Sequence, residues 1–227
     1  MPASVAVRKM LPLFFIIWAL VGRQAWAAPP ESVFPGDDWR HATDVRLFGW
    51  SPETLAEARG VAAAIGSAAV MVVDRGAVIA AWGDITRKYR CHSMRKSLIN
   101  ALYGIATARG RIDLEASLAQ LGIDDHPPAL TDIEKRAIVR DLLASRSGIY
   151  HLALSESPEM KARRPARYSH LPGTFWYYNN WDFNALGTIY ERVTGSGVFD
   201  AFEEQIARPT GMQDFAPADG SYRSGPV

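Results

Sequence analysis

The sequence predicts an α+β fold in which an antiparallel sheet is flanked by helices and joined to a mostly helical part. Two apolar runs, residues 68–73 and 77–82, are joined by Asp74-Arg75-Gly76, which is typical of a hairpin of two well-buried strands. After Ser93 the apolar residues recur almost entirely at helical spacing. Because a lone hairpin buries too little to be stable, we expect the remaining strands of the sheet to be missing from this chain.

The composition is that of an ordinary globular protein, with 48% hydrophobic and 22% charged residues among 227. This excludes a disordered, collagenous or coiled-coil chain. The formal net charge is +1, so no strong field attracts nucleic acid or an anionic membrane surface. Cys91 is the only cysteine, which excludes an intrachain disulfide framework, and we expect it to be buried rather than redox-active.

Residues 1–27 have the pattern of a secretory signal peptide. Arg8 and Lys9 precede the apolar run 11–21, and Ala25-Trp26-Ala27 forms a cleavage site with small residues. The run is short for a bilayer span, which makes an uncleaved anchor the weaker alternative. We expect cleavage near Ala27, a periplasmic or secreted protein, and no stable membrane insertion after cleavage.

The helices are predicted from apolar spacing and from their cap residues. Ser51-Pro52-Glu53 has the N-cap, proline and acid of a helix start, and Thr131-x-x-Glu134 is a capping box. The predicted segments are a helix from Ser51 to Gly66, helices over 97–108, 112–121 and 181–193, a helix from Thr131 through Leu143, and an amphipathic segment over 198–206.

Ser93-Met94-Arg95-Lys96, at the start of a predicted helix, is the first candidate catalytic motif. Positions i and i+3 share one face of a helix, so the serine hydroxyl and the lysine amine can meet. A serine hydroxyl is a poor nucleophile as long as it keeps its proton, and a desolvated lysine can take that proton. The N–H groups at the start of a helix can bind an oxyanion. The alternative is an N-capping serine beside an unrelated surface lysine.

Tyr177-Tyr178-Asn179-Asn180 is the second candidate motif, and it contains Tyr-x-Asn in two overlapping registers. A tyrosine beside a cationic amine can serve as general base and then as acid. An asparagine amide can orient a substrate carbonyl. The alternative is an aromatic loop before a helix, with Asn180 as the N-cap.

Several motifs follow one another along the chain, and we consider them together. They are Ser93-x-x-Lys96, Arg140-Asp141-Leu142-Leu143 with Ser147-Gly148, Pro172-Gly173-Thr174, Tyr178-x-Asn180 and Leu186-Gly187. This order resembles the serine β-lactamase / penicillin-binding superfamily, and it is closest to the class C-like branch. That branch includes class C β-lactamases, D-Ala-D-Ala carboxypeptidases, esterases and hydrolases of short nylon oligomers.

The resemblance covers residues 35–216 and implies a β-lactamase/transpeptidase-like domain over 28–227, with a sheet part at 28–92 and a mainly helical part at 93–227. It implies a serine hydrolase acting on a small-molecule amide, lactam or ester through an acyl-enzyme on Ser93, and the predicted signal peptide makes this an exported enzyme. Lys96 would be the partner of the serine, Tyr178 the proton shuttle, and Asn180 a ligand of the lysine and of the substrate carbonyl. No cofactor, metal or nucleic-acid partner is expected.

One motif of the family has no counterpart in the sequence. Members carry Lys or His, a small residue and Gly on the strand that lines the site and supplies the second oxyanion N–H. Val193-Thr194-Gly195 and Pro209-Thr210-Gly211 end in glycine, but neither begins with Lys or His. We therefore expect a C-terminally truncated member, and the alternative function is a non-catalytic fragment or ligand-binding descendant.

Other kinds of site have weaker support. No serine has glycine at both −2 and +2, which excludes the nucleophile elbow of α/β-hydrolases. Asp124-Asp125-His126-Pro127-Pro128 is interpreted as a loop rather than a metal site, and the basic run 161–167 as a solvated loop. Trp176, Tyr177 and Trp181 are expected to pack around the second motif, with an aromatic rim for an apolar acyl group as the alternative.

Overall fold

The computed structural model describes residues 30–223, which form two compact units divided between Arg87 and Lys88. The predicted signal peptide lies outside the described residues. Among the helices of residues 30–223, none is both long and apolar enough to cross a membrane. The described chain combines helices with a small antiparallel sheet, which confirms the α+β prediction.

The first unit contains helix α1 (Pro52–Ala64) and a hairpin of strands β1 (Ala69–Asp74) and β2 (Ala77–Gly83). The predicted N-cap of α1 is present, because Ser51 accepts a hydrogen bond from the Thr54 N–H. The strands pair antiparallel, and the turn between them places both Arg75 and Gly76 at positive φ. This is the backbone geometry that matches the twist of a two-residue hairpin.

The prediction that both strands are buried holds only for the start of β2. Ala77, Val78 and Ile79 are buried, whereas β1 is half-buried and Val73 is 43% exposed. The backbone of Val78 also bonds to a segment outside the hairpin, since its N–H donates to the Arg40 carbonyl at 2.8 Å. The apolar run of residues 77–82 does not predict this short backbone pairing with the segment that contains Arg40.

The second unit is a helical core with helices α2 (Arg95–Ala108), α3 (Val139–Leu143), α4 (Pro158–Arg163), α5 (Asn180–Thr194) and α6 (Val198–Phe202). Helices α2 and α5 contribute most of its largest buried side chains. Tyr103 of α2 donates its hydroxyl to the Leu186 carbonyl of α5 at 2.7 Å, and its ring lies 5.8 Å from that of Tyr190. Gly195, at φ 72°, ends α5 as the sequence predicts.

Two predicted helices are wrong in the stretch between α2 and α4. Residues 112–121 form turns, because the N–H groups of Leu118 and Ala119 donate to the carbonyls of Ala137 and Lys135 instead of to their own segment. The capping-box bonds of Thr131 and Glu134 are present, but they open only a single 3₁₀ turn. The extended backbone of Ile138 then separates that turn from α3.

Two further expectations about individual side chains are also wrong. The basic run 161–167 is not a solvated loop: α4 covers its first half, and Arg164 and Arg167 bind Glu156 and Glu134. These two carboxylates are 1% and 3% exposed, so each arginine neutralises a buried charge. Cys91, expected to be buried, is exposed, because it lies in the turn that precedes α2 rather than on a helix face.

Candidate active site

Lys96 is the centre of the candidate active site. Its side chain projects from the first turn of α2 and the residue is only 6% exposed. Its Nζ donates to Ser93 Oγ at 3.0 Å, to the Tyr178 hydroxyl at 2.9 Å and to Asn180 Oδ1 at 2.9 Å. A lysine ammonium has three protons, so these contacts use all of them. The structure therefore brings the four predicted site residues together around one amine.

Ser93 owes its place to the way α2 begins. Residues His92–Met94 form a 3₁₀ turn that continues directly into α2, so Ser93 and Lys96 lie three positions apart on one helical face. His92 has φ 44°, a left-handed conformation that residues other than glycine rarely adopt. This turn leaves Ser93 exposed while Lys96 is buried behind it.

Asn180 is not the N-cap of α5, because Asn179 has that role. The Asn179 Oδ1 accepts from the Trp181 N–H at 3.2 Å, which leaves the amide of Asn180 available for other partners. Asn180 accepts from Lys96 and donates its Nδ2 to the Ser155 carbonyl at 3.0 Å. Both ends of this amide are therefore fixed by the protein.

The two tyrosines of the second motif have different surroundings. Tyr178 faces Lys96, whose Nζ lies 4.6 Å from the centre of its ring. Tyr177 instead donates its hydroxyl to the Met160 carbonyl at 2.9 Å and packs edge-on against Tyr150. Only Tyr178 has its hydroxyl at the lysine.

The environment of Tyr178 favours the loss of its phenolic proton. Burial alone would raise the pKa of Tyr178, but the hydrogen bonds from Lys96 and Ser93 and the positive charges of Lys96 and Arg95 outweigh it. The net effect is a pKa below the ordinary value of 10.0. A phenolate at this position is stabilised by the amine beside it.

The four-residue cluster opens into a cleft of about 300 Å³. The cleft is lined by Ser93, Lys96 and Tyr178 together with Ser97, Asn100, Leu143, Ala144, Ser145, Trp176 and Phe183. Trp176 is 58% exposed at this cleft, as the alternative of an aromatic rim for an acyl group requires. Trp181 is packed inside instead, with its Nε1 donating to Asp125 Oδ2 at 2.8 Å.

The loop containing Asp125 holds the side chains of Trp181 and His151 through hydrogen bonds. Asp125 Oδ2 also binds Nδ1 of the buried His151 at 2.8 Å. Among the described residues, no group of three or more His, Cys, Asp or Glu side chains is arranged to hold a metal ion.

Sequence reasoning missed the residues that hold the second motif in place. Ser155 and Asp182 bind Asn180 and Asn179 respectively, and neither was singled out as a candidate. Asp182 has the position of an ordinary first-turn acid near the positive end of a helix dipole. What distinguishes Asp182 from such an acid is its complete burial, and a single sequence does not reveal burial at that position.

Comparison with known families identifies the class of protein. The Beta-lactamase family model matches residues 52–219, which is most of the chain. The chain therefore belongs to the β-lactamase family, within the serine β-lactamase/transpeptidase-like superfamily.

Solved structures show the same fold. A candidate β-lactamase from Bacteroides dorei DSM 17855 is 20% identical, with a TM-score of 0.55 over 72% of this chain and 53% of its own. SurE, in a structure with D-Leu, is 22% identical, with a TM-score of 0.50 over 70% of this chain and 39% of its own. The chain thus spans about half the length, or less, of the structures that it matches.

Proposed function

We propose that the protein is an exported serine hydrolase that opens an amide, lactam or ester bond through an acyl-enzyme on Ser93. The observation that supports this most strongly is the buried Lys96 amine, which holds the hydroxyls of Ser93 and Tyr178 within 3.0 Å and 2.9 Å. A nucleophile and a base within hydrogen-bond reach, with the base oriented by a third group, are what covalent catalysis by serine needs.

In the acylation step, the Tyr178 phenolate takes the proton of Ser93 Oγ. The freed oxygen attacks the substrate carbonyl carbon, and the carbonyl oxygen becomes an oxyanion. Tyr178 then gives the proton to the leaving nitrogen or oxygen as its bond to the carbonyl carbon breaks. The lowered pKa of Tyr178 suits both halves of this transfer, because the same oxygen must first accept the proton and then release it.

In the deacylation step, a water molecule attacks the acyl group on Ser93. Tyr178 takes a proton from that water and passes one back to Ser93 Oγ as the acid leaves. Lys96 remains hydrogen-bonded to both oxygens and balances the charge on the phenolate. Asn180 keeps Lys96 in place through Oδ1, and its Nδ2 has a second proton that we assign to the substrate carbonyl.

The oxyanion would be bound by the Ser93 N–H, which lies where the 3₁₀ turn enters α2. The second donor in this family comes from a Lys/His-x-Gly strand. The part of the chain that the structure describes has two strands, both before Ser93, and neither contains this motif. A site without this donor would lose about 10²–10³ in turnover, and that is the basis of the second candidate function, a ligand-binding or non-catalytic descendant.

The experiment that separates the two candidates measures hydrolysis of a panel of chromogenic esters, amides and β-lactams by wild-type protein, Ser93→Ala and Ser97→Ala. Ser97 lines the same cleft one turn further along α2, so its variant is a matched control. We expect turnover that Ser93→Ala abolishes and Ser97→Ala retains. Undiminished hydrolysis by Ser93→Ala contradicts the proposal, and saturable binding of a β-lactam without turnover supports the second candidate.

A further inference from the structure

Asp182 is a fully buried acid that the proposed reaction does not use. It lies in the first turn of α5, two residues after Asn180, and it is 0% exposed. Its Oδ1 accepts hydrogen bonds from Ser147 Oγ at 2.5 Å and from Asn179 Nδ2 at 2.9 Å. Its Oδ2 is also buried and has no hydrogen-bond partner among the described residues. An acid in this position needs an explanation, because burial of an ionised carboxylate is costly.

The bonds of Asp182 join two segments of the site. Asn179 donates its Nδ2 to the Ile149 carbonyl at 2.7 Å as well as to Asp182. Ser147 Oγ, which donates to Asp182, accepts from the Ile149 N–H at 3.1 Å. Ser147, Ile149 and Asn179 are all buried, so the network is closed to competing water.

The network fixes the backbone next to Tyr178. Asn179 follows Tyr178 and is held by Asp182 and Ile149. Tyr177 precedes it and donates its N–H to the Ser145 carbonyl at 3.0 Å. Tyr178 is therefore the residue between two fixed points, and its own side chain is free to point at Lys96. A displacement of about 1 Å at such a position can reduce turnover about 10²-fold.

Burial outweighs the hydrogen bonds that would stabilise a negative charge on Asp182. None of the ion pairs found among residues 30–223 involves it. The titratable groups that act on it, or that it acts on, are Asp141 of α3 and Tyr150 in the segment between α3 and α4, and both are acids. Burial raises the pKa of Asp182 well above its usual value, and the charge of Asp141 raises it further, against the hydrogen bonds from Ser147 and Asn179.

We propose that Asp182 is a positioning residue for Tyr178 and Asn180, and that it does this as a neutral carboxylic acid. Its Oδ1 collects the two donors that tie the Tyr178–Asn180 segment to residues 147–149. Because Oδ1 accepts from Ser147 and Asn179, the proton of the neutral acid is on Oδ2. This leaves an uncharged hydroxyl without a partner, whereas a carboxylate would leave a charged oxygen without one. The positioning role rests on the proposed function, because it is a role in that reaction. The protonation state does not depend on that function.

Two substitutions in the full-length protein separate the two parts of the proposal. Asp182→Asn keeps a neutral acceptor for Ser147 and Asn179, so we expect kcat for a chromogenic ester to stay within about 3-fold of wild type. Asp182→Leu removes the acceptor at similar volume, so we expect kcat to fall about 10²-fold with KM changed by less than about 3-fold. Asp214→Asn, at an exposed acid, is the control and should match wild type in both parameters.

The pH dependence of unfolding tests the protonation state without any turnover. A carboxyl whose pKa is raised in the folded protein stabilises the fold at low pH, and that contribution is lost as the pH rises towards the raised pKa. Asp182→Asn does not titrate, so its stability relative to wild type should increase as the pH rises above 3.8, the ordinary value of the carboxyl. Asp214→Asn should show no such trend.

The outcomes distinguish this proposal from the proposed function. If Asp182→Asn is as inactive as Asp182→Leu and its relative stability does not rise with pH, Asp182 acts as a charge and the proposal is overturned. An unchanged kcat in Asp182→Leu overturns the positioning role. Should Asp182→Leu fail to fold, Ser147→Ala removes one donor to the same oxygen and should lower kcat about 10-fold. A wild-type protein without turnover contradicts the proposed function and, with it, the positioning role. The pH dependence of unfolding then still tests whether Asp182 is a neutral acid.

Discussion

The Lys96 Nζ lies 2.9 Å from the hydroxyl of Tyr178, a residue 82 positions further along the chain. This contact exists because α2 and α5 pack against each other. Away from the site, the helices are joined by the buried bond from Tyr103 to the Leu186 carbonyl, and near it Arg95 donates to Asn184 at 3.3 Å. The geometry of the site is therefore a property of the helix pair and not of either motif alone.

The two tyrosines of the second motif give the first prediction. Tyr178→Phe removes the oxygen that accepts from Lys96, and we expect turnover of the best substrate to fall by about 10²–10⁴. Tyr177→Phe removes a hydrogen bond to the Met160 carbonyl, so it should cost about 1 kcal/mol of stability and little activity. Steady-state kinetics and urea unfolding of both variants measure these effects. A larger kinetic loss in Tyr177→Phe would contradict the assignment.

The lowered pKa of Tyr178 gives the second prediction. If its phenolate is the base, the rate of acylation under single-turnover conditions rises with pH and reaches a plateau above a pKa that is lower than 10.0. The residual rate of Tyr178→Phe should lack this rise. A wild-type profile that keeps rising to pH 10 or higher would contradict the lowered pKa of Tyr178.

The buried ion pair of Glu134 and Arg167 gives the third prediction. Arg167 donates to both carboxylate oxygens, at 3.0 Å and 2.8 Å, and Arg167→Ala would leave a buried charge without its partner. We expect a loss of about 3 kcal/mol in the free energy of unfolding. Arg163→Ala, at an exposed arginine of α4, is the control and should change it by less than about 0.5 kcal/mol. Equal effects would contradict the ion-pair account.

The pH dependence of that pair gives the fourth prediction. Burial raises the pKa of Glu134, but the bonds from Arg167 and Thr131 outweigh it and hold the pKa below 4.5. A lowered carboxyl pKa stabilises the fold above the unfolded value and is lost as the pH falls through the folded one. Wild-type protein should therefore lose stability below pH 4.5 more steeply than Glu134→Gln. Identical slopes, measured by urea unfolding at each pH, would mean that Glu134 is not stabilised as an anion.

Local signals were enough to predict part of this structure. The N-cap Ser51, the left-handed Gly195 and the hairpin turn at Gly76 each depend on neighbours in sequence, and each was predicted. The SxxK spacing likewise fixes Ser93 and Lys96 on one face of α2, because both belong to the same helical segment.

Long-range partners explain what the sequence could not predict. The segment at 112–121 has apolar residues at helical spacing, but its backbone pairs with residues 135–140. No pattern within the segment itself predicts that pairing. The cap of α5 is Asn179 rather than Asn180, because Lys96 and Ser155 occupy the amide of Asn180. The burial of Asp182 likewise depends on a loop 35 residues away.

The proposed mechanism depends on the acylation of Ser93, and trapping a covalent adduct on that serine tests it. The full-length protein is incubated with a serine-directed phosphonate, and its mass and peptide map are then measured, with Ser93→Ala and Ser97→Ala as controls. We expect a single adduct on the peptide containing Ser93, absent from Ser93→Ala and retained in Ser97→Ala. An adduct on Ser97, or one that persists in Ser93→Ala, would contradict it.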